Sequence, residues 1–264
     1  MTSTLTKRLS VSAVLISITA GTIFFTPSWF FFIVVEAFSL LGLNEFLELA
    51  RKKGVPVNRV MGLLFAAILP FFMVWQAEAA LLAAATLCLF IYNFYRPLKE
   101  QALLNTAVTI FGIVYVSWFF CHFIKIRELA AGPQWVFFTI LIVKGGDAGA
   151  YFVGKAIGRV KLLEHISPNK SVEGAVACLI TTLLLALLSK AYLGDVPFRD
   201  LAILGFLAGI ISQLGDLAES LIKRDAGVKD SGHIPGLGGI LDVLDSLIFT
   251  APVIYYYRVM VLGV

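Results

Sequence analysis

The sequence predicts an all-α integral membrane protein that crosses the bilayer several times. Of its 264 residues, 59% are hydrophobic and only 14% are charged, and the mean hydropathy is +0.90. The apolar residues fall into runs that approach the length of about 20 residues that a helix needs to cross the hydrocarbon core. This combination excludes an ordinary soluble protein.

Short polar segments divide the apolar sequence into about nine runs, and each run predicts one transmembrane helix. Only Gln76 and Glu78 divide the third run from the fourth, so one of that pair is expected to be short or tilted. The first run follows Lys7 and Arg8 without an evident cleavage site and is interpreted as a helix, not as a signal peptide. The predicted spans are Leu9–Phe25, Trp29–Leu49, Val60–Trp75, Ala77–Tyr95, Thr106–Ile124, Trp135–Gly154, Gly174–Leu193, Leu201–Ile222 and Ile240–Val261.

Most of the Lys and Arg residues lie at the N-terminus and after the even-numbered spans. Because cytoplasmic loops carry an excess of these residues, the pattern predicts a cytoplasmic N-terminus and a C-terminus on the other side. The net charge of +4 is therefore interpreted as a topology signal, and no nucleic-acid partner is expected. Three cysteines without a metal-binding spacing, Cys88, Cys121 and Cys178, lie inside apolar runs and are expected to be buried packing residues.

Acidic residues also interrupt the second span. Glu45 and Glu48 lie near its cytoplasmic end beside Arg51 and Lys52, and the sequence predicts that they pair with these cations at the interface.

Residues 212–246 are the main candidate for a functional site, because they concentrate charge in a chain that otherwise avoids it. Asp216, Glu219 and Lys223 recur at helical spacing and should share one helix face with Ser220. A charged group at the membrane centre costs about 2.5–3.5 kcal/mol on insertion scales, so a cavity or a metal ion is expected beside these acids. Carboxylates without His or Cys partners suit Mg²⁺, which usually also binds substrate phosphates.

The second acidic pair and the glycines before it extend this site. Asp242 and Asp245 are three residues apart and should face the same way at the start of the last span. The sequence from Pro235 to Gly239 predicts a tight turn whose backbone amides can approach a ligand. His233 is interpreted as a loop residue and not as a base.

Two upstream segments are expected to form walls of the same site. Lys144 and Asp147, three residues apart, are expected either to neutralise each other or to line a polar cavity. In residues 154–174, Ser167 is expected to cap the seventh span and Pro168 to lie in its first turn. Lys161 and Lys170 beside that helix N-terminus would then form an anion site.

At these residues the sequence resembles the phosphatidate cytidylyltransferase family, whose members are also called CDP-diacylglycerol synthases. The family signature is matched at Ser220, Lys223, Arg224, Lys229, Asp230, Pro235, Gly236, Gly238, Gly239, Asp242, Asp245 and Ser246. An upstream block is matched at Asp147, Tyr151, Gly154, Gly158, Ile166, Ser167, Pro168, Lys170, Glu173 and Gly174. Leu237 and Val243 depart from the pattern, which usually has His and Arg there, and the spacer between Asp230 and Pro235 is one residue short.

The resemblance implies an Mg²⁺-dependent enzyme that makes CDP-diacylglycerol and pyrophosphate from CTP and phosphatidic acid. The expected catalytic and metal-binding residues are Asp216, Asp242 and Asp245, with a second cation as an option. The expected phosphate-binding residues are Lys170, Ser220, Lys223, Arg224, Lys229, Gly238 and Gly239. The expected supporting polar residues are Asp147, Tyr151, Ser167, Glu173 and Asp230.

The expected organisation is one integrated membrane domain in a bacterial-type inner membrane, with the active site facing the cytoplasm. Residues 1–130 would supply N-terminal helices and residues 131–264 the catalytic region, and a homodimer is compatible with an enzyme of this size. The alternative function is a cation-coupled transporter, in which intramembrane acids bind an ion at a broken helix. That alternative leaves the cations beside the acids unexplained.

Overall fold

The fold was analysed in a computed structural model, which describes residues 18–95, 101–232, 234 and 238–263. Residues 18–25 are helical. Most of the first predicted span and the cations Lys7 and Arg8 lie outside the described residues. The same holds for His233 and for residues 235–237.

The described N-terminal part of the chain is helical, as predicted. Its first long helix follows Pro27, and Asn58 caps the next one by accepting a hydrogen bond from the Met61 amide at 3.1 Å. The turn between the second and third helices places Gln76 in the left-handed region, with φ 55°. These helices are α1 (Ser28–Lys52), α2 (Arg59–Val74) and α3 (Glu78–Phe94).

The next membrane helix changes its winding near the middle of its length. It begins as α4 (Ala102–Gly112), continues as a π-helical segment (Ile113–Trp118), and ends as α5 (His122–Glu128). The π segment carries Tyr115, whose ring lies 5.7 Å from the ring of Phe249 between centroids. Insertions of this kind are frequent at functional sites.

The C-terminal part contains four long helices and one β-hairpin. Strands β1 (Lys161–Leu163) and β2 (Ser167–Ser171) are antiparallel. The helices are α6 (Gly132–Ile157), α7 (Val172–Leu188, extended by the 3₁₀ turn Ser189–Ala191), α8 (Phe198–Asp225) and α9 (Ile240–Met260).

The predicted cap of the seventh span is wrong. Ser167 begins strand β2, and α7 begins four residues later than expected, after Ser171. The Ser171 hydroxyl caps the helix by accepting from the Gly174 amide at 3.1 Å. Pairing of β2 with β1 supplies backbone partners that compete with a helical turn at Pro168.

Within the part of the chain that the structure describes, six helices are long and apolar enough to cross a membrane, which gives the chain the all-α architecture of an integral membrane protein. The six are Ser28–Lys52, Ala102–Glu128, Gly132–Ile157, Val172–Ala191, Phe198–Asp225 and Ile240–Met260. Helices α2 and α3 have 16 and 17 residues, which corresponds to about 24–26 Å at 1.5 Å per residue, less than a core of about 30 Å. The count of nine spans therefore stays a prediction.

Helix α9 occupies the centre of the bundle and packs against α1, α5, α6 and α8. Close approach to α8 depends on Gly215, where a Cβ atom would lie 2.4 Å from the Asp245 carbonyl oxygen. Small residues allow helix backbones to approach in membranes, where no hydrophobic effect drives helices together. The Gly215–Asp245 crossing brings the two acidic segments of the sequence side by side.

Candidate functional site

The centre of the candidate site is a buried group of three charges at the α8–α9 end of the bundle. Lys223 lies 2.5 Å from Glu219 on the preceding helical turn and also forms an ion pair with Asp242 of α9. The side chains of Glu219, Lys223 and Asp242 are only 0%, 11% and 12% exposed. Of the four residues predicted to share a face of α8, Glu219, Ser220 and Lys223 are buried, and Asp216 is partly exposed.

Asp242 also organises the loop that leads into α9. Its Oδ2 atom accepts hydrogen bonds from the Ser231 amide at 2.8 Å, the Ser231 hydroxyl at 2.7 Å and the Gly239 amide at 2.7 Å. Gly239 is the N-cap residue and has no side chain of its own, so the Asp242 carboxylate three residues later takes its amide. Asp242 therefore ties the loop, α8 and α9 together.

The loop itself closes on a short backbone bridge between Ile234 and Gly238. The two residues exchange both amide hydrogen bonds, at 2.6 Å and 3.1 Å. Gly238 has φ +86°, a conformation that other residues rarely adopt. The backbone on either side of residues 235–237 is thus tightly folded.

Glu45 of α1 is a site residue that the sequence reasoning missed. The expected pairing of Glu45 with Arg51 and Lys52 is wrong, because its carboxylate accepts from the Ile240 amide at 2.9 Å and the Leu241 amide at 2.8 Å. The Ser231 hydroxyl is a third donor, at 2.8 Å. The available signal was a carboxylate inside an apolar span, which is rarely left without a specific partner.

Glu48, the neighbouring acid, behaves more as a surface residue. Its ion-pair partner is Arg59, at 3.9 Å, and not Arg51 or Lys52 as expected; both side chains are nearly half exposed.

A second polar group lies deeper in the bundle, between α6 and α9. The predicted pairing of Lys144 with Asp147 is confirmed at 3.2 Å. Ser246 of α9 joins the pair, since its hydroxyl accepts from Lys144 at 2.8 Å and donates to Asp147 at 2.9 Å. Lys144 and Asp147 are a little more than one third exposed within long apolar helices, where charged side chains usually face a partner or water.

Asp216 and Asp245 lie between these two groups. Asp216 precedes Lys223 by seven residues, or about 10 Å along α8, and its neighbour Gly215 is the crossing point with Asp245. Asp216 pairs with Lys170 of the hairpin at 2.8 Å and is one third exposed. Asp245 is nearly buried, and its Oδ1 atom accepts from the Ser246 amide at 2.5 Å. The acids thus form a polar column that continues from the loop into the bundle.

The β-hairpin contributes Lys170, the cation that pairs with Asp216. Lys170 stands on β2, and the Arg224 guanidinium fixes the hairpin to the end of α8 by donating to the Ile166 carbonyl at 3.1 Å. Glu173, predicted as a supporting residue, accepts from the Val160 amide at 3.2 Å and so holds the start of the hairpin. Tyr151 is exposed on α6, with Lys155 over its ring at 5.7 Å from the centroid.

The remaining predicted residues lie around the mouth of the column. Lys229 and Asp230 are exposed in the loop after α8, while Ser220 is buried on that helix. A Cβ atom at Gly238 would lie 2.8 Å from Asp242, so this position is packed against the acid. The structure therefore brings Gly238 to Asp242 and leaves Lys229 facing outward.

The donor set suits a hard cation, but the described side chains are mainly paired with one another. Among residues 18–95, 101–232, 234 and 238–263, no group of three or more Asp, Glu, His or Cys side chains converges as a metal site. Asp242 already accepts from four donors, whereas Asp216 pairs with Lys170 and Asp245 accepts from the Ser246 amide. The buried Oε1 atom of Glu219 has no hydrogen-bond partner among the described residues. Carboxylate oxygens of this kind are the ligands that Mg²⁺ prefers.

The cysteines take no part in the site. Cys121 and Cys178 are buried, as predicted for packing residues, and Cys88 is half-buried.

The sequence is similar to those of known cytidylyltransferases. The sequence profile of the cytidylyltransferase family matches residues 6–261. A phosphatidate cytidylyltransferase from Synechocystis is 34% identical, with 98% of each chain covered. The phosphatidate cytidylyltransferase of Bacillus subtilis is 41% identical over 54% of each chain, and a chloroplastic one from Arabidopsis thaliana is 31% identical over 92% of this chain and 69% of its own. The chain belongs to the cytidylyltransferase family.

Proposed function

We propose that the protein transfers a cytidylyl group from CTP to phosphatidic acid, giving CDP-diacylglycerol and pyrophosphate. The observation that carries the proposal is the column of acids and cations that continues from the α8–α9 loop into a bundle of membrane helices. Such a column would provide charged groups for a water-soluble polyphosphate next to the membrane that holds a lipid phosphate. A relative matched over nearly its whole length, the Synechocystis protein, bears the name of this activity. No comparison supports the transporter alternative.

The reaction needs positioning and charge neutralisation more than a strong base. A phosphate oxygen of phosphatidic acid attacks the α-phosphorus of CTP, the bond from that phosphorus to the bridging oxygen breaks, and pyrophosphate leaves with the bonding electrons. The attacking phosphate is already an anion, so the protein must hold two anions together in line.

Lys170 on the β-hairpin and Lys223 and Arg224 at the end of α8 are proposed to hold the phosphates. Lys170 is paired with Asp216, and Lys223 is paired with both Glu219 and Asp242. On substrate binding, these lysines would exchange their carboxylate partners for phosphate oxygens. Lys229, exposed at the mouth, would meet the nucleotide first, and Ser220, Gly238 and Gly239 are proposed to complete the phosphate site.

We propose Mg²⁺ as the cofactor, held by Asp216 and Asp245 with Asp242 as the third carboxylate. The ion would neutralise the phosphates of CTP. These carboxylates would be the protein ligands of the ion. Asp242 would have to loosen its ion pair with Lys223 in order to bind the metal. A second cation and a homodimer stay predictions.

The location of the protein in an inner membrane, with the site on the cytoplasmic side, is likewise proposed from the distribution of Lys and Arg. CTP is a cytoplasmic metabolite, so this orientation would give the mouth of the column access to it.

The proposal is tested by measuring pyrophosphate release from CTP by purified protein, with and without phosphatidic acid. Release is expected only with both substrates and Mg²⁺, and Asp245→Asn is expected to abolish it while the variant remains folded in the membrane fraction. Lipid-independent release would contradict the proposed acceptor, and full activity of Asp245→Asn would contradict the metal assignment.

A further inference from the structure

Glu45 binds the start of α9 from a distant part of the sequence. It lies on α1, 195 residues before Ile240, in the half of the chain that contributes none of the predicted catalytic residues. Its two carboxylate oxygens accept separately from the Ile240 and Leu241 amides, at 2.9 Å and 2.8 Å. Glu45 therefore acts as a capping side chain supplied by another helix.

The start of α9 needs such a partner because the first amides of a helix have no acceptor within it. A serine or aspartate at the N-cap usually provides one, but the N-cap here is Gly239. Asp242 takes the Gly239 amide, and Glu45 takes the next two. A carboxylate is also the favoured charge at this end of the helix dipole.

The loop is pressed directly onto this carboxylate. A Cβ atom at Gly239 would lie 2.4 Å from Glu45 Oε2, and one at Gly232 would lie 2.6 Å from Oε1. The Ser231 hydroxyl lies 2.8 Å from Glu45 and 2.7 Å from Asp242, so its single hydrogen is shared between the two acids. The position of Asp242 is thus coupled to that of Glu45 through Ser231 and the helix cap.

We propose that Glu45 is a positioning residue for cytidylyl transfer, holding Ser231 and the start of α9 so that Asp242 and Lys223 face the substrate phosphates. This inference rests on the proposed function. It gives α1 a defined role in the site, because the reacting residues on α8 and α9 depend on a carboxylate that α1 carries.

The alternative is that Glu45 competes with the CTP phosphates for the first amides of α9. A helix N-terminus is an anion site, so Glu45 would be an internal competitor if the CTP phosphates bound to the same amides. Removal of its charge would then tighten CTP binding, whereas loss of a positioning residue lowers turnover.

The experiment compares Glu45→Gln and Glu45→Ala with the matched control Glu48→Gln in lipid vesicles. Glu48 lies one turn away on α1 and is nearly half exposed. The measurements are kcat, KM for CTP, KM for phosphatidic acid, and amide hydrogen exchange along the chain. Glu45→Gln is nearly isosteric and keeps one acceptor oxygen, so it remains informative if Glu45→Ala fails to fold.

Glu45→Gln is expected to lower kcat about tenfold, the usual size for one lost charge-assisted hydrogen bond. Its KM for phosphatidic acid should change less than twofold. Amide exchange should rise about tenfold or more in residues 231–242 and stay at the wild-type rate in Val172–Leu188. Glu48→Gln should match the wild type in every measurement.

A lower KM for CTP with unchanged kcat would overturn the proposal in favour of competition with phosphate. Unchanged exchange in residues 231–242, or an equal rise in all helices, would also overturn it, because the effect would then be absent or global. Should the wild type release no pyrophosphate, the proposed function fails, while the exchange measurement still decides whether Glu45 holds the loop.

Discussion

Replacement of Lys223 by methionine tests whether the buried ion group at the α8–α9 end holds the site together. Methionine keeps most of the length and apolar volume of the lysine stem but removes the charge. The variant leaves Glu219, which is fully buried, and Asp242, which is 12% exposed, without their shared cation. Removing one partner of a buried ion pair usually costs about 3–5 kcal/mol.

We expect Lys223→Met to lose about 3–4 kcal/mol of unfolding free energy. The expected loss lies in the lower part of the usual range because methionine keeps the packing of the lysine stem.

The assay is thermal unfolding of the purified protein in detergent. A loss of about 3–4 kcal/mol corresponds to a shift on the order of 10 °C for a chain of this size. Lys53→Met is the matched control, since the ion pair of Lys53 with Asp225 is exposed and should contribute less than about 1 kcal/mol. The double variant Lys223→Met/Glu219→Gln should recover most of the loss, because it also removes the buried carboxylate that Lys223 neutralises.

The reasoning would be refuted if Lys223→Met unfolded at the same temperature as Lys53→Met while its KM for CTP rose. That result would make Lys223 a phosphate ligand without a structural role in the resting protein.

Three further changes have expected outcomes. Gly239→Ala should lower activity more than tenfold, since its Cβ would lie 2.1 Å from the Ser231 hydroxyl, whereas Gly194→Ala, with no atom within 4 Å, should be neutral in the same assay. Asp147→Asn should lower thermal stability by about 1–3 kcal/mol, because Lys144 loses the carboxylate that neutralises it, and equal stability would argue against that pair. Chelation of divalent cations should stop pyrophosphate release and added Mg²⁺ should restore it, and activity that survives chelation would contradict the proposed cofactor.

Local periodicity was sufficient to predict the parts of the site that lie on one helix. Glu219, Ser220 and Lys223 share a buried face of α8, and Lys144 pairs with Asp147 on α6, as helical spacing requires. These contacts join residues one helical turn apart, so they follow from the sequence once the helix is recognised.

Contacts between distant segments could not be predicted in this way. Glu45 contacts Ile240, which lies 195 residues later in the sequence. The packing of α1 against α9 is not visible in the sequence, so the nearby cations Arg51 and Lys52 were predicted as its partners. The cap at Ser167 failed for a related reason, because the pairing of β2 with β1 overrides the local helix signal of Ser-Pro.

The number of membrane spans depends on lengths that hydropathy alone does not fix. Helices α2 and α3 are apolar throughout but end at the tight turn around Gln76, which leaves both shorter than a full crossing. The sequence signal for this was the short separation between Gln76 and Glu78.

The most direct test of the account is the formation of CDP-diacylglycerol by the purified protein in vesicles that contain phosphatidic acid. With labelled CTP and Mg²⁺, we expect one lipid-linked cytidylyl group for each pyrophosphate released, and no product with Asp245→Asn. Pyrophosphate release without lipid labelling, or an absence of both in a folded wild-type protein, would contradict the central claim.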